Sequence, residues 1–263
     1  DWPSNSNKDA IAAGLQALMV WGMRVGVEFA ELFKDRQLSN DCKAAEKKLV
    51  KAASRVYKKF LASCPAPDAP GSKQVAALMA ITGLIDAPKA DKEFLSINGA
   101  QGFSTFYGYY MLEAMAAAGN FQGALDVIRE YWGAMIDLGA TSFWEDFDIN
   151  WIPNAAPIDE LVPEGKKDIH GDCGAYCYVG FRHSLCHGWA SGPTSWLSRH
   201  ILGVEVLEPG CRQVRITPHL GDLQWVKGTF PTPYGEIQIY HERQANGNVI
   251  SEVKAPKEVS VIK

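Results

Sequence analysis

The feature that most constrains this chain is a change of hydrophobic period near Gly203: apolar residues recur every three or four positions before it and alternate after it. Ile11, Leu15, Leu18, Gly22, Val25, Phe29 and Leu32 share one face of a long helix, with Ser6 and Asp9 as an opening capping box. Leu38, Cys42, Ala45, Leu49, Ala52, Val56 and Phe60 mark a second helix, closed by Cys64-Pro65-Ala66-Pro67 because proline cannot continue it. Shorter helices are predicted over residues 73–85, 103–118, 121–138 and 191–202. Beyond Gly203, Val214-Arg215-Ile216, Ile237-Gln238-Ile239-Tyr240, Val249-Ile250 and Val259-Ser260-Val261-Ile262 read as strands, with Asn246-Gly247 as a hairpin turn. The expected organisation is mainly α with a C-terminal β domain: residues 1–203 helical, residues 204–263 a small antiparallel β unit.

A chain of 263 residues with 47% apolar and 21% charged residues can bury a core without staples. A formal net charge of -4 argues against a nucleic-acid surface, and the lysines between Lys43 and Lys59 read as a solvated helix face. The most apolar stretch, residues 10–30, carries Gln16, Arg24 and Glu28, which reads as too polar for a membrane span. The chain opens abruptly at Asp1-Trp2-Pro3, as a piece of something longer would. Among six cysteines, Cys173, Cys177 and Cys186 lie near His183 and His187; this loosely zinc-like spacing competes with buried thiols or one disulfide, and no cofactor is expected.

Two segments carry candidate chemistry. In residues 139–146, Glu145 follows a helix end and is flanked by Phe143, Trp144 and Phe147. A carboxylate among aromatic rings is partly desolvated, which suits it to proton transfer, and aromatic faces stack on sugars. The plainer alternative is that Glu145 caps a helix or pairs with an arginine. Residues 184–193 combine His187 and Trp189 with small residues that let a ligand or backbone approach; a purely structural histidine is the alternative. Phe103, Phe106, Tyr107, Tyr109 and Tyr110 either pack a core or line a sugar pocket. The long segment 146–182, with Pro153, Pro157, Pro163, Gly171, Gly174 and Gly180, reads as a functional or flexible loop. Phosphate-loop, dinucleotide-binding and serine-elbow signatures are missing from the sequence.

Taken in order, residues 139–146, 184–193, 199–210, 217–223 and 229–235 resemble segments of the bacterial α-L-rhamnosidases, glycoside hydrolase family 78, and Asp1-Trp2 resembles the end of that family's Gly-Asp-Trp element. The resemblance implies part of an (α/α)6 barrel followed by a β-sandwich, and inverting hydrolysis of terminal α-L-rhamnosides without a cofactor. By the same resemblance Glu145 is the general base, while His187, Trp2, Trp144 and Trp189 contact rhamnose-containing oligosaccharides or glycosides. The family's general acid lies upstream of the Gly-Asp-Trp element, so it is expected outside these residues, and the chain alone is expected to be inactive. The helices are too few for a twelve-helix barrel, and residues 146–182 are longer than in simpler relatives. A periplasmic or secreted location would fit a polysaccharide-degrading enzyme. Two rivals stand beside this reading: a non-catalytic carbohydrate-binding or scaffold protein on the same framework, and an inverting hydrolase for another sugar.

Overall fold

The computed structural model describes residues 7–64, 66–67, 69–173 and 183–262, so the expectations for Trp2, Ser6, Gly174, Cys177 and Gly180 fall outside the described residues. Helices α1 (Lys8–Leu32) and α2 (Arg36–Ser63) form a long antiparallel hairpin. Asn7 caps α1 by accepting the Ala10 N–H, while Asp9, half of the expected capping box, pairs instead with Lys59 on α2. The face that α1 buries is not the large-residue stripe. Ala10, Ala13, Gly14, Ala17 and Val20 turn inward, since small side chains let helices approach closely, and Ile11, Leu15, Phe29 and Leu32 remain exposed. By length and composition α1 is apolar enough to cross a bilayer, contrary to the expectation from its polar residues. Two of those polar residues turn to the protein, while Glu28 is exposed: Gln16 Nε2 donates to the Leu49 carbonyl, and Arg24 reaches Glu46 at 2.7 Å and the Thr82 carbonyl.

The remaining helices are α3 (Ser72–Ile81), the short α4 (Ala87–Ala90) running into a π-helical turn (Asp91–Leu95), α5 (Gly108–Ala117) and α6 (Phe121–Asp137). α7 (Gly192–Trp196) follows the long loop and also ends in a π-helical turn, Leu197–Ile201. Leu112, Met111 and Met115 of α5 and Tyr131, Trp132 and Met135 of α6 supply much of the main core.

Two three-stranded sheets follow. β1 (Val204–Val206), β2 (Gln213–Ile216) and β6 (Ser260–Ile262) form one, in the order β1-β2-β6. β3 (Trp225–Thr232), β4 (Gly235–Arg243) and β5 (Val249–Lys254) form an antiparallel meander, with β4 and β5 joined through the predicted Asn246-Gly247 turn. The expectation of a wholly antiparallel unit is corrected at one place: β6 runs parallel to β2, pairing Val214 with Val261. After β5 the chain leaves the meander through a turn at Pro256, and the Ser260 N–H bonds the Arg212 carbonyl, which sets β6 alongside β2 in the same direction. Val204, Val214, Ile216, Ile237, Ile239 and Val259 close one core between the sheets, with Leu202 inserted from the helical part.

Residues 217–223, conspicuous in the sequence, join the two parts. The His219 ring lies flat on Phe121 at 3.7 Å, and the His219 backbone N–H donates to the His200 carbonyl. Arg129 of α6 grips Asp222 through two nitrogens at 3.0 and 2.8 Å.

Candidate active site

Helix α6 stops at Asp137, and Gly139, at φ +89, turns the chain out of the helix as few other residues can. The chain then runs extended beside residues 183–187, so the two segments singled out in the sequence pair with each other. The Glu145 N–H donates to the Ser184 carbonyl at 2.8 Å, and the His187 N–H donates to the Phe143 carbonyl at 2.7 Å. This pairing sets the Glu145 carboxylate beside the His187 ring, with Oε2 4.0 Å from Nδ1. The Ser184 N–H also donates to that Oε2, at 3.2 Å. The Glu145 backbone is held from below, where its carbonyl accepts from both Thr105 Oγ1 and Trp189 Nε1 at 2.6 Å.

Alternation along the extended segment decides which side chains reach solvent. Glu145 is 15% exposed and His187 35% exposed in their side chains, so both are accessible from outside. Trp144 points the other way and is completely buried, edge-on to Phe147 and His183. Its place in this structure is behind Glu145 rather than on an open wall. Trp189 stands beside His187, with ring centroids 4.6 Å apart, and is partly exposed.

Asp146 also points inward and is nearly fully buried. Burial pushes its carboxyl up to about 7, and the neighbouring charges of Asp148 and Glu145 add to the rise, against the Phe147 N–H bond that favours ionisation. The Asp146 N–H donates to His183 Nε2 at 3.2 Å, so the His183 proton sits on Nδ1, which donates to the Ile169 carbonyl at 3.1 Å. Burial lowers the pKa of His183, which keeps this bridging ring neutral.

Two clefts flank the ladder. One, of about 810 Å³, lies between α5, α7 and the β part and includes Phe106, Tyr110, Trp189 and Arg199. The other, of about 490 Å³, is lined by Lys73, Gln74, Asn98, Phe147 and Asp148 among others. The buried Lys73 donates to the Gly99 carbonyl and lies over the Phe103 ring at 5.1 Å. Glu145 lines neither cleft, although its neighbours line both. Among the described residues no group of three or more metal-ligating side chains occurs; Cys42, Cys64 and Cys173 are buried free thiols and Cys186 is exposed. Sequence reasoning missed Thr105, Asp146 and Lys73, and noted His183 only for its loosely zinc-like spacing to the cysteines. Asp146 alone carried a signal, its place next to Glu145.

Residues 203–262 match the family model of the bacterial alpha-L-rhamnosidase C-terminal domain. That match covers the β part of the chain. Among solved structures, this chain is similar to the family 78 rhamnosidase of Bacillus sp. GL1, at 22% identity and a TM-score of 0.66, over 92% of this chain and 25% of that one. It is also similar to the native rhamnosidase of Aspergillus terreus, at 18% identity and a TM-score of 0.67, over 93% of this chain and 27% of that one. The Streptomyces avermitilis enzyme, solved in complex with L-rhamnose, aligns at 17% identity and a TM-score of 0.60, over 94% of this chain and 22% of that one. At these identities the likeness is one of fold, and the chain spans about a quarter of each rhamnosidase. No curated protein matches it.

Proposed function

We propose that this chain is the C-terminal part of an inverting α-L-rhamnosidase, with residues 1–203 contributing to an (α/α)6 barrel, residues 204–263 forming a β-sandwich, and Glu145 as the general base. The observation that carries the reading is the ladder that puts Glu145 Oε2 4.0 Å from His187 while Trp189 and Thr105 fix the Glu145 backbone. A base must be accessible, ionised and held; Glu145 is reachable from solvent, and its main chain is bonded on both sides.

In this mechanism Glu145 takes a proton from the water that attacks the anomeric carbon. The Ser184 N–H orients the carboxylate by donating to Oε2. His187 donates to sugar hydroxyls, and Trp189 offers its exposed ring to the sugar's apolar face. Trp144 stiffens the segment from behind. Inversion needs a second carboxylic group about 6.5–9.5 Å away, leaving room for the water. The upstream residues of the natural polypeptide supply that acid in this reading, so these 263 residues alone do not turn over rhamnosides. The L-rhamnose in the Streptomyces avermitilis complex supports rhamnose as the sugar. Trp2 remains a proposed wall of the sugar site.

The test is proton NMR of the first-formed sugar when the natural polypeptide acts on 4-nitrophenyl glycosides. The α-L-rhamnoside should be cleaved and β-L-rhamnose should form first. An α product would contradict inversion, cleavage of a different sugar alone would favour the rival hydrolase, and a lack of turnover would favour the binding protein.

A further inference from the structure

Helix α2 gathers positive charge in a chain whose net charge is -4. Between Lys43 and Lys59 it carries seven cations and one acid, Glu46, which turns aside to Arg24 of α1 at 2.7 Å. At about 100° per residue, the seven cations fall within an arc of about 160° around the helix. The centre of that arc lies opposite Cys42, Ala53 and Phe60, the residues that α2 buries. All seven side chains belong to exposed residues. The end members are neutralised: Lys43 pairs with Glu31 and Lys59 with Asp9, each at 2.7 Å. Among the described residues, Lys47, Lys48, Lys51, Arg55 and Lys58 have no acidic partner. Lys47, Lys51 and Arg55 follow at intervals of four and Lys58 at three more, so like charges stand one turn apart, an arrangement that destabilises a helix.

A straight row of cations roughly 24 Å long, about one charge per 5.4 Å turn, complements a linear polymer with one anionic group per repeating unit. Its neighbours narrow the choice. A membrane-surface helix sets apolar side chains beside its cations, whereas the apolar side of α2 is packed against α1, with Phe60 among Ala10, Ala13 and Ala17. Single-stranded nucleic acid takes exposed rings on which bases stack, and the rings of α2, Tyr57 and Phe60, stack on each other on the α1 side. We propose that this face of α2 docks an acidic polysaccharide, a chain of uronic acids, and so holds the polymeric part of a substrate on the protein. The choice of a glycan over other polyanions rests on the reading of the chain as part of a rhamnosidase.

The experiment measures the affinity of the natural polypeptide for fluorescein-labelled oligogalacturonate by anisotropy over a range of NaCl concentrations. The stripe variant carries Lys47→Gln, Lys51→Gln, Arg55→Gln and Lys58→Gln; all four positions are exposed, and glutamine keeps a similar helix propensity. The parent should bind with an affinity that falls steeply with salt, and the variant should bind about tenfold or more weakly with a shallower salt dependence. A control with Lys227→Gln and Lys254→Gln, exposed on the β3–β4–β5 sheet, should bind like the parent. Equal affinity of parent and stripe variant would overturn the surface, as would a lack of binding by the parent at about 50 mM NaCl. Tighter binding of the parent to a DNA duplex of equal charge, or to phosphatidylserine vesicles, would overturn the glycan as occupant. Turnover of 4-nitrophenyl α-L-rhamnoside separates this inference from the reading it rests on: the stripe variant should match the parent. A lack of turnover in both, with binding still dependent on the stripe, would overturn the hydrolytic reading and leave the docking surface standing.

Discussion

Asp146 and Glu145 are adjacent in the chain and face opposite ways, one into the core and one toward solvent. Burial holds the Asp146 carboxyl near 7 against 3.8 in an exposed chain, so the folded protein keeps this proton where the unfolded chain loses it. Its contribution to stability is therefore fully present below about pH 4 and is lost as pH rises through 7. At 1.36 kcal/mol per pKa unit the full change is of the order of 4 kcal/mol. Asp146→Asn keeps an oxygen for the Phe147 N–H and removes the titration. Urea unfolding at pH 5 and pH 8 should show the variant gaining stability relative to the parent at the higher pH. An equal difference at both values would mean that Asp146 does not titrate in this window. The residues of the candidate site were legible to different degrees. Glu145 and His187 were found because each sits in a short, unusual run of aromatic and small residues. The roles of Thr105 and His183 were not legible, because they come from pairings 40 and 37 residues away in the chain, which no local pattern encodes.

Elements show the same division between local and distant causes. The long helices, the proline stop after Cys64 and the Asn246-Gly247 hairpin depend on neighbours within a turn or two, and they were readable from spacing alone. The inward face of α1 was not readable, because a stripe of large apolar residues and a seam of alanines have the same period, and only the partner helix decides which is buried. The parallel β2–β6 pair has no local signature either. Gly203 stands at the join. Its φ of +80 is costly for any other residue, and a Cβ there would collide with the Thr217–Pro218 backbone, which cannot swing aside as a side chain can. Gly203→Ala should lower the unfolding free energy by about 2 kcal/mol or more. A denaturation midpoint equal to the parent's would show that the helix–sheet junction relaxes freely.

At the scale of the molecule, a helical part leads into two small sheets, and the segment 217–223 ties them through the His219–Phe121 stack and the Arg129–Asp222 pair. α1 leaves Leu15, Met19, Phe29 and Leu32 exposed on one side, a larger apolar surface than scattered residues make. The fold aligns with about a quarter of each matched rhamnosidase. The central claim is that Glu145 activates the attacking water. Glu145→Gln is nearly isosteric and leaves the backbone bonds to Ser184, Thr105 and Trp189 in place. The most direct measurement is kcat for 4-nitrophenyl α-L-rhamnoside by the natural polypeptide and by its Glu145→Gln variant, with circular dichroism of both. A fall of about 10²–10⁴-fold in kcat with an unchanged spectrum is the predicted result, and turnover equal to the parent's would contradict the assignment.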